Sequence, residues 1–258
     1  MLRKKVRRFF ISPCRVKENQ FIIEGREFSH LTQVLRHEEG DHVLASDGSG
    51  RSYEAQILRL DEKQAICTIT SQRESLPMQR IQLSLLLSVP KEKAMSALLQ
   101  KSVELGVTAI YPVCSERSIL PFAKDIAKKK EARWTAILTD AAKQSGNPHL
   151  PHLAELKEFV SYEKKLSKMK FDRLILLSPY GESDLPQLDE EMRQLGKDEK
   201  MHLCMCIGPE GDWTPSEEQM MIDAGAEPLQ CGEMIMRVDT AVSFVASVVK
   251  LWNLCDES

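Results

Sequence analysis

The chain has 258 residues, 42% of them hydrophobic, so it is long enough for one large domain or two smaller domains with true cores. This composition excludes a disordered chain, and no segment approaches the roughly 18 apolar residues that a membrane span requires. Seven scattered cysteines are typical of reduced thiols, and the basic amino terminus lacks the apolar stretch of a secretory signal. We therefore expect a cytoplasmic protein with no membrane partner.

Charge is distributed unevenly along the chain. The net charge of −3 argues against a strongly nucleic-acid-binding surface, yet residues 1–17 contain seven Lys or Arg residues and no acid. Phe9 and Phe10 lie within this basic segment. The pattern is equally consistent with contacts to nucleic acid phosphates and bases and with a solvated, frayed terminus.

Short β-like segments separated by turn signals predict a small β-rich domain over residues 1–74. Asp47-Gly48-Ser49-Gly50 lies between two of these segments and is typical of a hairpin connection. One predicted helix, residues 26–41, interrupts the strands with an apolar face. Residues 75–80 are the predicted linker to the rest of the chain.

From residue 81 onward, strand-like and helix-like segments alternate. Residues 81–89 are continuously apolar, as expected of a strand buried on both faces, and the helix that follows is predicted to stop at Gly106. The last predicted helix spans residues 239–254. This order predicts an α/β domain, residues 81–258, in which helices cover a mainly parallel sheet.

Three of the predicted strands are followed directly by loops. Residues 203–207 form an apolar strand that ends in Gly208-Pro209-Glu210-Gly211, and a helix start with a Thr214–Glu217 capping box follows. The other two loops are "LLSPYGE", residues 176–182, and "LQCGEMIMRVDTA", residues 229–241. One such loop is usually an ordinary connection, but three together predict a cradle for a ligand about the size of a nucleoside. Neither the GxGxxG nor the GxxxxGK[ST] fingerprint is present, which argues against a nucleotide-dependent oxidoreductase.

The ordered motifs "VLRHEEGD", "QKSVELGV", "RW…AAKQSG", "GPEG" and "MRVDTA" carry a family resemblance. Their order and spacing resemble the RsmE-type uracil-N3 methyltransferases of 16S ribosomal RNA, which belong to the SPOUT superfamily. The resemblance extends from Arg8 to about Leu251. It implies a PUA-like β-barrel, a SPOUT domain with a deep trefoil knot, and a homodimer with the site near the subunit interface.

The resemblance also implies that the three loops bind S-adenosylmethionine as methyl donor, with 16S ribosomal RNA or the small ribosomal subunit as substrate. The loop positions expected to contact the donor are Leu177, Ser178, Pro179, Ile207, Gly208, Pro209, Glu210, Gly211, Cys231, Gly232, Ile235 and Met236.

Arg237 and Asp239 match the family's catalytic loop. We assign Arg237 to the uracil or its phosphate, and Asp239 to site organisation or acceptance of the N3 proton. Asp239 is equally able to cap the last helix.

Three arginines of the amino-terminal domain are candidate RNA contacts: Arg7, Arg8 and Arg36. For Arg36 the alternative is a local salt bridge to Glu38 or Glu39.

Four positions depart from the family pattern. Asp212 replaces a second glycine, Asn147 and Met234 replace arginines, and Asp239 is one methylene shorter than the usual glutamate. These departures keep two other functions open: a non-catalytic RNA-binding ribosome-assembly factor and a SPOUT ribose 2′-O methyltransferase.

Overall fold

A computed structural model describes most of the chain. The described ranges are residues 8–74, 79–119, 122–166, 168–181, 183–196 and 198–254.

The chain divides into two compact units. The first comprises Met1–Met78 and Thr139–Leu150, and the second comprises Gln79–Leu138 and Pro151–Ser258. The expected second domain was continuous from residue 81, whereas residues 139–150 belong to the first unit. The reason is local: the Lys143 ammonium lies 2.7 Å from the Glu27 carboxylate, and the Leu150 N–H donates to the Gly48 carbonyl. The boundaries at residues 74 and 81 stay a prediction, because residues 75–78 lie outside the described part.

The described residues of the first unit form a six-stranded sheet with the order β1-β4-β5-β6-β3-β2, in which only the β1–β4 pair is parallel. Its strands are β1 (Arg8–Phe10), β2 (Val16–Lys17), β3 (Gln20–Glu24), β4 (His42–Ser46), β5 (Arg51–Leu60) and β6 (Gln64–Glu74). The predicted hairpin is confirmed, since β4 pairs antiparallel with β5. The Asp47 carboxylate accepts the Ser49 N–H and the buried Tyr53 hydroxyl, which fixes this connection.

The helix predicted over residues 26–41 is shorter than expected. Helix α1 (Gly25–Ser29) continues into a single π-helical turn, His30–Val34, and the chain then leaves the helix. Arg36 has a left-handed φ of +53°, and the His37 N–H bonds back to the Leu31 carbonyl. A non-glycine residue in this conformation ends the helix, and no property of the side chain signals it in advance.

The described part of the second unit contains an eight-stranded sheet in which every pair is parallel, so the predicted mainly parallel sheet is confirmed. The strand order is β10-β8-β7-β13-β11-β14-β12, with β9 beside β8. The strands are β7 (Ile81–Ser88), β8 (Ala109–Cys114), β9 (His152–Leu153), β10 (Lys157–Glu158), β11 (Arg173–Leu177), β12 (Ser183–Asp184), β13 (Met201–Ile207) and β14 (Ala226–Gln230). The trefoil knot stays a prediction, because strand order and register do not determine the threading of the chain.

Helices connect these strands. They are α2 (Glu92–Leu105), α3 (Lys124–Ser145), α4 (Glu163–Leu166), α5 (Leu185–Gln194), α6 (Pro215–Asp223) and α7 (Val238–Leu254). Gly106 has a left-handed φ of +87° and ends α2 as predicted. The Thr214–Glu217 capping box is present at the start of α6. Since parallel strands end at one edge of a sheet, the loops after β11, β13 and β14 share that edge.

Candidate functional site

The three loops enclose a cavity of about 460 Å³ at the carboxyl ends of the adjacent strands β13, β11 and β14. This volume lies within the range of small-molecule sites in proteins. Its lining residues are Leu177, Ser178, Pro179, Tyr180, Ile207, Gly208, Pro209, Glu210, Gly211, Asp212, Leu229, Cys231, Gly232, Met234, Ile235, Met236, Arg237, Val238 and Ala241.

The structure brings all twelve predicted donor-contact positions together in this lining, and it adds Arg237. Asp239 does not line the cavity. Sequence reasoning missed six lining residues: Tyr180, Asp212, Leu229, Met234, Val238 and Ala241. All six lie in or beside the predicted loops, so their position in the sequence was the available signal.

The loop after β13 is a tight turn closed by a hydrogen bond from the Asp212 N–H to the Pro209 carbonyl, 2.9 Å. Asp212 has a left-handed φ of +62°, and its carboxylate accepts the N–H of Trp213 at 2.9 Å. Asp tolerates this conformation better than most residues because its short side chain bonds the nearby backbone. Asp212, which stands where the resemblance leads us to expect a second glycine, therefore adopts a left-handed conformation that glycine reaches without strain.

Two side chains hold this loop in place. The Arg117 contacts were not predicted, whereas Glu217 was predicted only as the capping-box partner of Thr214. The exposed Arg117 guanidinium donates to the carbonyls of Gly211, 3.0 Å, and Trp213, 3.1 Å. The buried Glu217 carboxylate accepts the backbone N–H groups of Glu116 and Thr214, both at 2.9 Å. The loop after β8 is thus bonded to the loop after β13 through Arg117 and to the start of α6 through Glu217.

Glu210 faces a helix start. Its carboxylate accepts the Lys91 N–H at 3.2 Å, just before α2. A carboxylate is stabilised there by the unpaired N–H groups and the positive end of the helix dipole. We therefore assign Glu210 chiefly to loop organisation.

The loop after β11 is pressed against β14. The Ser178 N–H donates to the Leu229 carbonyl at 3.1 Å, and the Tyr180 N–H bonds the Ser178 hydroxyl at 3.2 Å. A Cβ atom added at Gly181 would lie 2.6 Å from the Gln230 nitrogen, which is closer than real Cβ contacts allow. Only glycine fits between these two main chains.

The loop after β14 combines a half-buried thiol with exposed side chains. Burial raises the pKa of the Cys231 thiol to about 11. At neutral pH only about one such thiol in 10⁴ is a thiolate, so Cys231 is a poor nucleophile. Met234 and Ile235 in the same loop are 87% and 84% exposed.

Arg237 and Asp239 lie at the start of α7. The Arg237 carbonyl accepts the Ala241 N–H at 2.8 Å, so Arg237 occupies the position before the first helical residue, Val238. Within the described chain the exposed Arg237 guanidinium forms no ion pair, and it is free to meet a ligand. Asp239 lies inside the first helical turn, so the expectation that it caps the helix is wrong. Its charge is favourable there because of the helix dipole.

The candidate RNA contacts differ in their availability. The Arg8 guanidinium donates to the Gly146 carbonyl, which commits part of its hydrogen-bonding capacity. Arg36 is exposed, and the alternative salt bridge to Glu38 or Glu39 is absent among the described residues. Arg7 lies outside the described residues. Asn147, where the resemblance leads us to expect an arginine, accepts the His149 N–H at 2.9 Å in a local turn.

The thiols and acids of the described ranges do not assemble into a metal site, since no cluster of three metal-ligating side chains is present there. Cys204 and Cys206 are fully buried in the hydrophobic core of the second unit. No described helix has the length and apolar character to span a bilayer.

Comparison with known proteins adds independent information. The chain matches a family model described as RNA methyltransferase domain over residues 77–250. It also matches a model described as RNA methyltransferase PUA domain over residues 23–70, which agrees with the predicted PUA-like domain.

Individual relatives match over nearly the whole chain. Ribosomal RNA small subunit methyltransferase E of Synechocystis is 28% identical, covering 91% of this chain and 74% of that protein. The Bacillus subtilis protein of the same name is 27% identical, covering 89% of each chain. A solved structure of this methyltransferase from Neisseria gonorrhoeae, bound to S-adenosyl methionine, is 27% identical with a TM-score of 0.79, covering 95% of this chain and 97% of that one.

Proposed function

We propose a function from one premise: this chain belongs to the RNA methyltransferase domain family. The proposed reaction is methyl transfer from S-adenosylmethionine to N3 of a uridine in 16S ribosomal RNA, on the small ribosomal subunit. The observation that carries the proposal is the single cavity that gathers all twelve expected donor positions with Arg237. Relatives named for small-subunit ribosomal RNA methylation match along the same length of chain.

The cavity has the properties that a nucleoside-containing donor requires. Leu177, Ile207 and Leu229 supply apolar wall, while the main chain comes close wherever glycine leaves room. The residues expected to hold the donor are those of the three loops. When bound, the donor supplies an already activated methyl group, so the protein needs mainly to position the acceptor.

The acceptor nitrogen gives up its proton to solvent water and takes the methyl group as the carbon–sulfur bond of the sulfonium breaks, so the donor would leave as S-adenosylhomocysteine. In our proposal the Arg237 guanidinium binds the uracil oxygens beside N3 and stabilises the negative charge that develops there. We propose direct transfer from the donor to N3 and assign no covalent role to Cys231, whose thiol pKa burial raises to about 11. N3 lies on the pairing edge of the base, so the target uridine is unpaired or flipped out.

Asp239 is assigned to organisation of the site. Its position in the first turn of α7, outside the cavity lining, supports stabilisation of the helix start that carries Arg237. Its side chain is one methylene shorter than the glutamate that the resemblance leads us to expect, so it has less reach.

The direct test maps the methylated atom. Purified protein is incubated with labelled S-adenosylmethionine and either unmodified small subunits or free 16S RNA, and the product nucleosides are identified. We expect 3-methyluridine, with more product from the subunit. Donor binding without any methylated nucleoside would favour the non-catalytic assembly factor, and label on a ribose 2′-oxygen would favour the other enzyme.

We further propose a homodimer built on α7. This helix buries one face with Val242, Val245 and Val249, yet Phe244, Leu251 and Leu254 remain 36%, 49% and 51% exposed on another. Residues 244, 251 and 254 are seven and three positions apart, which places them on one side of the helix. A helix that is apolar on both sides is normally buried on both sides. We expect a second copy of the chain to cover the exposed apolar side of α7.

Replacing Leu251 with glutamate is expected to weaken this dimer by about 100-fold or more. Two-fold symmetry would bury two unpaired carboxylates, and about 3 kcal/mol is a low value for that penalty. Sedimentation equilibrium measures the change in mass. Ile222→Glu, on α6 and 41% exposed, is the matched control and should leave the mass unchanged. A Leu251→Glu protein that dimerises as tightly as the parent would exclude this face.

We propose that the protein is located in the cytoplasm, because its proposed substrate, ribosomal RNA, is found there. The six described cysteines are all free thiols, which agrees with a reducing compartment.

A further inference from the structure

We propose that the methyltransferase unit carries a surface of its own for the RNA backbone, in addition to the amino-terminal unit. It comprises five exposed lysines at the beginnings of α2 and α3, which we call the lysine surface. Its members are Lys91, Lys93, Lys124, Lys128 and Lys129. The inference extends the proposed function by naming where this unit would contact its substrate.

The sheet topology places the lysine surface on the same side as the cavity. Helix α2 follows the carboxyl end of β7, and α3 follows that of β8. Strands β8, β7, β13, β11 and β14 are consecutive neighbours and all run parallel. Both helix starts therefore lie at the sheet edge that also carries the three cavity loops.

Specific contacts join the two helices and the cavity loop. Glu92, in the first turn of α2, pairs with Lys130 and with Arg133 of α3, the latter at 2.9 Å. One residue earlier, the Lys91 N–H bonds the carboxylate of Glu210, a residue of the cavity lining. Since Glu92 joins α3 to the start of α2, and Lys91 joins α2 to the cavity loop, the starts of both helices lie beside each other and next to the site.

The lysine surface is positively charged and not neutralised from within. In the described ranges none of its five lysines forms an ion pair, whereas Lys130 and Arg133 already compensate Glu92. The acids beside it are Asp125 on α3, Glu116 in the preceding loop, and Glu210, which faces the start of α2. The positive charges remain in excess, although the whole chain carries −3.

The chemistry of this surface fits phosphate more closely than it fits bases. Lysine ammonium groups act as flexible point charges that contact the phosphate backbone without reading sequence. Such contacts would position the RNA so that the target base reaches the cavity, and they would make binding depend on salt.

The test compares two triple variants. Lys124→Gln, Lys128→Gln and Lys129→Gln together neutralise the lysine surface. The matched control neutralises Lys165, Lys168 and Lys170, which are exposed lysines in the segment that enters the amino end of β11, at the opposite sheet edge. Binding to 16S RNA is measured between about 50 and 200 mM salt, together with donor affinity.

For the surface variant we expect the slope of log affinity against log salt to fall by about 2, since each lost phosphate contact removes about 0.7–0.9. Donor affinity should stay unchanged, which also shows that the fold is intact. The control variant should keep the parent slope. An unchanged slope in the surface variant, or an equal fall in the control, would overturn the proposal.

Two further outcomes separate this inference from the proposed function. If the parent protein binds RNA but forms no 3-methyluridine, the proposed function fails while the slopes still decide the role of the lysine surface. If the surface variant keeps its RNA slope but loses binding to polyglutamate, the surface serves an acidic protein partner and the RNA proposal is wrong.

Discussion

Replacing Arg237 with alanine is expected to lower the rate constant of methyl transfer by about 10²–10³-fold, the usual cost of losing one charge-stabilising donor. Its guanidinium lines the cavity, is exposed, and forms no ion pair within the described chain, so it is available for the negative charge that develops on the uracil oxygens. Single-turnover measurements with labelled donor and small subunits give this rate constant directly.

Measuring donor affinity distinguishes a role of Arg237 in the chemical step from a role in binding the donor. The donor carries a positive sulfonium, so removing a nearby guanidinium should leave its dissociation constant unchanged or slightly lower. Arg237→Lys keeps the charge but loses the planar fork, and it should fall between the parent and the alanine variant. A normal transfer rate in Arg237→Ala would remove Arg237 from the mechanism.

Asp239→Asn provides the comparison at the same helix start. Asp239 lies in the first turn of α7 and outside the cavity lining. We therefore expect the substitution to lower the stability of the helix start by about 0.3–1 kcal/mol and the rate of methyl transfer only modestly. A fall as large as that of Arg237→Ala, with a changed pH dependence, would instead identify Asp239 as the proton acceptor.

The loops of the site could be predicted because their signals are local. Each one follows an apolar segment directly, and glycine or proline marks where the strand ends. In a parallel sheet these ends must meet at one edge, so three separate sequence segments converge on one cavity. Arg237 was predictable only through the family resemblance.

What supports those loops could not be predicted from the sequence. Arg117 reaches the carbonyls of Gly211 and Trp213 across more than 90 positions, and Glu217 bonds the Glu116 N–H across 101. A lone arginine or glutamate carries no local sign of such a partner. The same is true of the left-handed Arg36 and of Asp212, whose conformations depend on the surrounding chain.

Short elements were missed for a different reason. Strands β9, β10 and β12 are two residues long, too short for any hydrophobic period, and their pairing is set by neighbouring strands. Helix α5 was also missed, although the sequence contains its start signal. Asp184 accepts the Gln187 N–H as N-cap, and a proline occupies the first turn. The buried Leu188 and Met192, four positions apart, complete that signal.

Replacing Gly181 with alanine is expected to lower donor affinity by about 100-fold, near the upper end of the 1–3 kcal/mol cost of overpacking. The new Cβ would lie 2.6 Å from the Gln230 nitrogen and 2.6 Å from the Leu229 carbonyl carbon. Both are backbone atoms of the neighbouring strand and its end, so neither can move aside as a flexible side chain would. The loop after β11 must shift, and the bond from Ser178 N–H to the Leu229 carbonyl is lost with it.

Gly196→Ala is the matched control for this effect. Its added Cβ would lie 3.4 Å from the Glu199 side chain, an ordinary contact at the far end of α5. Calorimetric titration with S-adenosylmethionine should show parent affinity for this control and a large loss for Gly181→Ala. Because the clash is confined to one cavity wall, the thermal unfolding midpoint should fall by only a few degrees, in keeping with a local cost of about 1–3 kcal/mol in a chain of this size. Parent-like donor affinity in Gly181→Ala would mean that the loop after β11 takes no part in holding the donor, and the cavity would then have to be assigned to another ligand.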